Sequence, residues 1–241
     1  IRVSDSHFLL AGLLVLLSPI LTYGQAGNFR SINSGPWSTS STWERDADSN
    51  GSFEESPSTV SPNSSSGTIQ IRSGHNVSLT ADETIDDTTV DVGGTLTING
   101  GVNLNFPTFS FLDVLIVDGT LNNNGNVNIT DFDFVQVNGT VNNTGTFTDV
   151  FASGTENWLF FNSGSTYDHR FTTTAGAIPN ATWDTGSTVR LSGYTSNTAA
   201  PTGLNQVFGN FTIDLAALTS SLALGGQLFD INGNFTVVNT N

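Results

Sequence analysis

The chain has 241 residues and a formal net charge of -15, although only 11% of its residues are charged. It contains no Cys, no Met and no Lys, because all six cationic residues are Arg. This composition excludes thiol nucleophiles, disulfides, thiolate metal sites and Schiff-base chemistry. It also argues against nucleic acid as a partner, since binding phosphates requires a basic stripe on the protein surface.

An apolar segment lies near the N-terminus. Residues 8–17 are apolar, Arg2 precedes them, and Pro19 and then Thr22-Tyr23-Gly24 follow them. This pattern predicts a secretory signal peptide over residues 1–24. The alternative, a membrane-spanning helix, needs about 20 apolar residues and would be interrupted by Pro19. We therefore expect a secreted protein with no stable membrane span after cleavage.

The next segment, residues 25–66, is rich in Ser, Asn, Gly and Pro and lacks the alternation of a strand. It predicts an irregular N-terminal cap, because the first coil of a solenoid needs a cover over its open edge and core. Trp37 and Trp43 are interpreted as the apolar plug of this cap. A sugar-stacking platform is the functional alternative for the two rings.

The cap contains a candidate calcium loop. Asp46, Asp48 and Asn50 precede Gly51 with the spacing of the first ligands of such a loop. Position 12, a Glu in an EF-hand, is Pro57 here, and no helices are predicted on either side. The same residues also fit a polar hairpin tip built on Asn50-Gly51. The sequence leaves both interpretations open, and Ca²⁺ is the one candidate cofactor.

Repeats organise the rest of the chain, residues 67–241. The segment Val90-Asp-Val-Gly-Gly-Thr-Leu-Thr-Ile98 returns in variant form at residues 117–121 and 137–141. Recurrence at this spacing, with strand, turn and strand in each unit, predicts an all-β solenoid. We expect a right-handed parallel β-helix, since left-handed crossovers are rare. It should have about eight coils of roughly 22 residues and continue beyond residue 241.

Alternation within the repeats predicts which side chains face the core and which residues make the corners. Gly94, Gly119 and Gly139 are expected at corners. The Asn runs at residues 122–125 and 142–145 are expected to hydrogen-bond from coil to coil. The predicted core residues are Ile69, Ile71, Val90, Val92, Leu96, Ile98, Val117, Leu121, Val137 and Val141.

Several segments together carry a resemblance to a known family. They are Ser34-Gly-Pro-Trp37, Ser41-Thr-Trp43, Ile69-Gln-Ile-Arg-Ser-Gly-His-Asn-Val77 and Val90-Asp-Val-Gly-Gly-Thr-Leu96. The chain resembles the N-terminal portion of secreted β-helix surface proteins of Bacteroidota, over about residues 30 to 145. The resemblance implies an exported, adhesin-like protein, often displayed at the cell surface and commonly sent out by the type IX pathway.

Parallel β-helices include polysaccharide lyases and hydrolases, so the carboxylates are weighed as catalytic groups. Asp131 and Asp133 would share one face of a strand. Asp168 and Arg170 can converge, whereas His169 between them turns to the opposite face. Solvated carboxylates and a surface loop explain these residues without chemistry, and we predict no catalytic residue.

The sequence therefore predicts a non-catalytic extracellular protein, a rigid stalk or adhesive surface. Surface glycans or other cell-surface proteins are the expected partners. A polysaccharide-degrading lyase or glycoside hydrolase is the alternative. A third class, ice-binding solenoids, requires a flat array of regularly spaced Thr. The Thr-rich segments, such as Thr172-Thr-Thr174, do not recur at coil spacing, so we do not expect this class.

Overall fold

The computed structural model describes residues 27–107, 114–129, 133–149, 158–228 and 230–240. The predicted signal peptide lies outside the described residues. Within them the chain is almost entirely β-structure, joined by turns and one short 3-10 turn at Ser40–Thr42. No helix in these ranges is long and apolar enough to cross a membrane.

The strands are short, most of them two to four residues long. In chain order they are β1 (Asn28–Ser31), β2 (Gly35–Pro36), β3 (Trp43–Asp46), β4 (Ile69–Ile71), β5 (Asn76–Leu79), β6 (Glu83–Thr84), β7 (Thr88–Val90), β8 (Thr95–Ile98), β9 (Asn103–Asn105), β10 (Val114–Val117), β11 (Thr120–Asn123), β12 (Asn126–Ile129), β13 (Phe134–Val137), β14 (Thr140–Asn143), β15 (Thr146–Asp149), β16 (Leu159–Phe161), β17 (Thr166–His169), β18 (Thr182–Trp183), β19 (Thr188–Leu191), β20 (Val207–Phe208), β21 (Asn210–Leu215), β22 (Asp230–Ile231) and β23 (Phe235–Thr240).

The strands stack into a parallel β-solenoid of about seven turns, as the repeats predicted. One side is a nine-stranded sheet in the order β2-β5-β8-β11-β14-β17-β19-β21-β23. A second is an eight-stranded sheet running from β18 through β16, β13, β10, β7 and β4 to β1 and β3. Strands β15, β12, β9 and β6 form a third sheet, and β20 pairs with β22. Each strand therefore lies beside the equivalent strand of the neighbouring coil.

The coils are unequal in length. Asn76 pairs with Thr95, 19 residues on, whereas Thr140 pairs with Thr166, 26 residues on. The solenoid has about seven turns, against about eight expected. The strands nevertheless keep their register, so the extra residues are absorbed between strands.

The core is a column of inward-facing Val, Leu, Ile and aromatic side chains that runs through successive coils. Nine of the ten predicted core residues are buried. The prediction for Val92 is wrong, since its side chain is 74% exposed. Strand β7 ends at Val90, and Gly93 turns the chain with a φ of +80°. The alternation that placed Val92 inside therefore stops two residues before it.

Gly94, Gly119 and Gly139 lie at corners, as predicted, and each is followed directly by a strand. The corners are crowded by the backbone of the coil beneath. A Cβ atom on Gly119 would lie 2.3 Å from the carbonyl oxygens of Asp91 and Gly94. On Gly139 it would lie 2.1 Å from the carbonyl oxygen of Gly119. Glycine is required here by close stacking of the coils, because any larger residue would push them apart.

The predicted Asn ladders are present on the outside of the solenoid. Nδ2 of Asn142 donates to Oδ1 of Asn122 at 2.8 Å, and Nδ2 of Asn128 donates to Oδ1 of Asn105 at 2.8 Å. These bonds join side chains that the backbone register already places opposite each other. Side-chain ladders of this kind add to the backbone bonds that hold neighbouring coils together.

The N-terminal cap is more regular than its composition predicted. Strand β1 pairs in parallel with β4 and antiparallel with β3, so it belongs to the eight-stranded sheet. Strand β2 pairs in parallel with β5 and begins the nine-stranded sheet. Such short strands carry too little alternation to be seen in the sequence, because Phe29 is the only large apolar residue of β1. The antiparallel strand β3 covers the edge of β1.

Candidate functional site

The tryptophan pair of the cap is inside the molecule. Trp37 is 1% exposed and Trp43 is fully buried. Their rings meet edge to face with centroids 5.0 Å apart, and Nε1 of Trp43 donates to the carbonyl oxygen of Trp37 at 2.8 Å. This confirms that Trp37 and Trp43 form the apolar plug of the cap. Neither ring offers a face to a sugar, so the platform alternative is wrong.

The candidate calcium loop forms a tight turn after β3. Carboxylate oxygens of Asp46, Asp48 and Glu54 lie within 4.8 Å of one another. Asn50 uses its side chain locally, because its Nδ2 donates to Asp48 at 2.9 Å and its Oδ1 accepts from the N–H of Ser52. The structure thus adds a third carboxylate, Glu54, to the predicted set of Asp46, Asp48 and Asn50. Hard oxygen donors of this kind suit Ca²⁺, and calcium binding stays a prediction.

The same turn is closed by hydrogen bonds to Asp46. Its carboxylate accepts from the backbone N–H groups of Asn50 at 3.0 Å and Gly51 at 2.8 Å. Desolvation by itself raises the pKa of Asp46, but the hydrogen bonds from Gly51, Asn28 and Asn50 outweigh it and lower the pKa. The polar hairpin tip predicted from Asn50-Gly51 is therefore formed by the protein's own groups, whether or not a cation adds to it.

A second feature of the cap had no sequence signal. The partly buried carboxylate of Glu44 pairs with Arg30 on β1 and, at 3.6 Å, with Arg72 beyond β4. Arg30 also lies over the ring of Phe53, 3.9 Å from its centroid. The pairing depends on strands β1, β3 and β4 lying side by side, which linear spacing does not show. It joins the cap to the first coil.

In the segment Asp168-His169-Arg170 the acid and the arginine meet on one face of the strand and the histidine turns to the other, as predicted. Nε of Arg170 donates to Asp168 at 2.9 Å, while His169 points into the core and is fully buried. Arg190 on the next coil also reaches Asp168, at 3.4 Å, and pairs with Asp214 on the coil after that. Asp168 is thus held between two guanidinium groups on the outer face of the nine-stranded sheet, and it has no contact with His169 through which a proton could be exchanged.

The buried His169 belongs to a polar cluster inside the solenoid. Its Nε2 lies 2.8 Å from the carbonyl oxygen of Ala175, and its Nδ1 lies 3.3 Å from the hydroxyl of Tyr167. The hydroxyl of Tyr194 contacts both His169 and Ala175. Burial lowers the pKa of His169, although the bond to Ala175 and the charge of Asp168 oppose this effect. Asp131 and Asp133 were the other two carboxylates considered for catalysis. Asp133 is buried, and Asp131 lies outside the described residues.

The outer face of the nine-stranded sheet carries two regular columns of side chains. The first, named here the threonine column, takes one residue from each of five neighbouring strands, and the backbone register pairs each member with the next. Its members are Thr95, Thr120, Thr140, Thr166 and Thr188. The Thr-rich segments do not form this column, but the expectation that the chain lacks a regularly spaced array of Thr is wrong. The signal was present, because three of the five directly follow the corner residues Gly94, Gly119 and Gly139.

The second column lies two residues further along the same strands. It runs through Ser78, Thr97, Asn122, Asn142, Asp168 and Arg190. Three of its members bond to one another: Nδ2 of Asn142 donates to Oδ1 of Asn122 at 2.8 Å, and Nδ2 of Asn122 donates to Oγ1 of Thr97 at 3.3 Å. Thr97 also donates to Asn76, which lies in register with Thr95, at 3.1 Å. The two columns together make a polar surface with a repeat in two directions.

The stacked coils, their hydrophobic column and this outer face define the protein as a parallel β-solenoid with ladder-forming polar side chains. A comparison with protein-family models, with curated proteins and with solved structures finds no match for this chain.

Proposed function

We propose that the protein is a non-catalytic extracellular protein, in which a rigid solenoid serves as a surface stalk or adhesive surface. The observation that carries this proposal is the continuity of the stack. Parallel pairing runs without interruption from β2 to β23 in one sheet and from β1 to β18 in another. Each coil contacts its two neighbours through backbone bonds, core side chains and outer ladders, which favours a stiff rod.

The placement of the charged groups supports a role without catalysis. Asp168 is engaged by Arg170 and Arg190, and Asp214 accepts from Arg190 and from Asn239. A glycosidase needs one carboxyl group that can donate a proton and a second that stays ionised. The pKa of Asp214 is lowered by the hydrogen bond from Arg190, which is opposite to what a general acid requires.

Export and partners belong to the same proposal. The apolar run at residues 8–17, with Arg2 before it, suits a secreted protein. A net charge of -15 disfavours nucleic acid, whereas an outer surface of Asn, Thr and Ser can hydrogen-bond to surface glycans or to other cell-surface proteins. Ca²⁺ at Asp46, Asp48 and Asn50, with Glu54, would brace the cap.

A pulling experiment on single molecules tests the stalk. Handles on residues 27 and 240 would load the rod along its axis, and we expect stepwise extension as coils peel off one at a time, since each coil contacts only its neighbours. Extension at low force without steps would contradict the proposal. Incubation with a panel of polysaccharides tests the enzyme alternative, and release of new reducing or unsaturated ends would favour it.

A further inference from the structure

The threonine column has free hydroxyl groups. In the described part of the chain, the Oγ1 atoms of Thr95, Thr120, Thr140, Thr166 and Thr188 make no hydrogen bond to the protein. All five side chains are partly exposed. Each hydroxyl can therefore donate to and accept from water. Each also presents a methyl group beside the hydroxyl, so the column alternates polar and apolar contact points.

The spacing of these groups is fixed by the sheet. Neighbouring strands lie about 4.8 Å apart, and the two columns are separated by two residues, about 6.7 Å along each strand. The register is unbroken from β5 to β21. Sheets of many strands that stay flat are typically held by stacking or by side-chain ladders. The bonded second column, with Asn142 on Asn122 and Asn122 on Thr97, supplies such a ladder.

The chemistry of the face narrows what can bind it. No aromatic side chain projects outward from β5, β8, β11, β14 or β17, so the face lacks the stacking surface that favours sugars. It is uncharged from β5 to β14, on a chain whose net charge is -15. Polyanions and polycations therefore have nothing to pair with there. What remains is a neutral ligand with a hydrogen-bonding repeat in two dimensions.

Crystalline ice is such a ligand. Its surface is a two-dimensional lattice of water molecules whose hydrogen bonds point in fixed directions. Water held by regularly spaced hydroxyls, and confined by the methyl groups between them, repeats with the spacing of the protein. We propose that the outer face of the nine-stranded sheet binds ice through the threonine column, with the second column holding the array flat. This activity is separate from the stalk and does not depend on it.

Substitution at the centre of the column tests the proposal. Thr140→Tyr places a bulky ring among the hydroxyls at an exposed strand position, where aromatic residues are well tolerated. The control is Thr148→Tyr, because Thr148 is an exposed outward residue of β15 on a different sheet. Unfolding temperatures of both variants should match the wild type. The measurements are thermal hysteresis and enrichment of the purified protein in a slowly growing ice crystal.

We expect the wild type and Thr148→Tyr to be enriched in ice and to separate the freezing from the melting temperature, and Thr140→Tyr to lose both effects. A wild type that ice excludes in the way it excludes an inert protein would overturn the proposal. Equal loss in both tyrosine variants would overturn the assignment to this face. Retention on insoluble polysaccharide that Thr140→Tyr abolishes, without affinity for ice, would assign the face to adhesion instead.

Discussion

Nδ2 of Asn123 donates to Oδ1 of Asn143 at 2.9 Å, and both side chains are buried inside the solenoid. Asn143 in turn donates to the hydroxyl of Tyr167 at 2.8 Å and to the carbonyl oxygen of Gly145. This inner ladder differs from the outer ones because water cannot replace a lost partner. A buried polar group without a partner retains its full desolvation penalty.

Replacing Asn143 with Leu should lower the free energy of unfolding by about 1–3 kcal/mol, since Asn123 and Tyr167 both lose a buried partner. Denaturant unfolding followed by tryptophan fluorescence measures the change. The control is Asn124→Ala, at an exposed position whose side chain accepts a hydrogen bond from the exposed Thr144. This variant should stay within about 0.5 kcal/mol of the wild type. Equal losses in the two variants would contradict the buried ladder.

The corner glycines give a second prediction. Gly119→Ala should destabilise the protein by about 1–3 kcal/mol, because the added methyl group overlaps the carbonyl oxygens of the coil beneath. Gly100→Ala is the matched control, since its Cβ would meet nothing closer than 3.7 Å and its φ is not positive. Thermal unfolding of the two variants compares them directly. A stable Gly119→Ala protein would show that the coils can separate without penalty.

Stability should fall in mildly acidic solution because of His169. Burial lowers the pKa of His169 below its ordinary value of 6.5, so the unfolded chain takes up a proton that the folded chain resists. The contribution of neutral His169 is complete above pH 6.5 and is lost as the pH falls below it. Unfolding free energies at about pH 8 and about pH 5 measure this loss. The variant His169→Gln should lose less between these two values.

The carboxylates affect stability in a lower pH range than His169 does. The pKa of Asp82 is lowered by hydrogen bonds from Asn103, and that of Asp214 by the hydrogen bond from Arg190. Their stabilisation is present above the ordinary pKa of 3.8 and disappears as the pH falls further. If stability did not change between pH 6.5 and 4 and fell only below 4, the prediction for His169 would be wrong.

Calcium binding is tested by calorimetric titration. We expect saturable binding to the wild type and none to the double variant Asp48→Asn, Glu54→Gln. These substitutions leave Asp46 to close the turn through the N–H groups of Asn50 and Gly51. Asp230→Asn, which removes an exposed acid elsewhere, is the control. Absence of heat in the wild type would leave the turn as a structure made by the protein alone.

The fold was predictable from the sequence because its rules are local. A turn glycine followed by alternating residues places Leu96, Leu121 and Val141 in equivalent positions. The prediction that Val92 is buried was wrong because alternation does not show where a strand ends. The threonine column was missed because Thr-rich segments such as residues 172–174 were considered, whereas the column takes a single Thr from each coil, three of them directly after a corner glycine. The ion pairs of Glu44 with Arg30 and Arg72 depend on contacts between strands far apart in the sequence, and no linear pattern shows such contacts.

The unequal coils also bear on how such a chain can lengthen. Because insertions between strands leave the register intact, a duplicated coil would fit into the stack as readily as an original one. Each copy from the regular region would bring two crowded glycines, two inward-facing residues on each sheet and one threonine of the column. The rod would grow by about 4.8 Å with every copy, and the hydroxyl array would grow by one row. In evolution, the length of the rod and the number of its surface contacts would then increase together, one coil at a time.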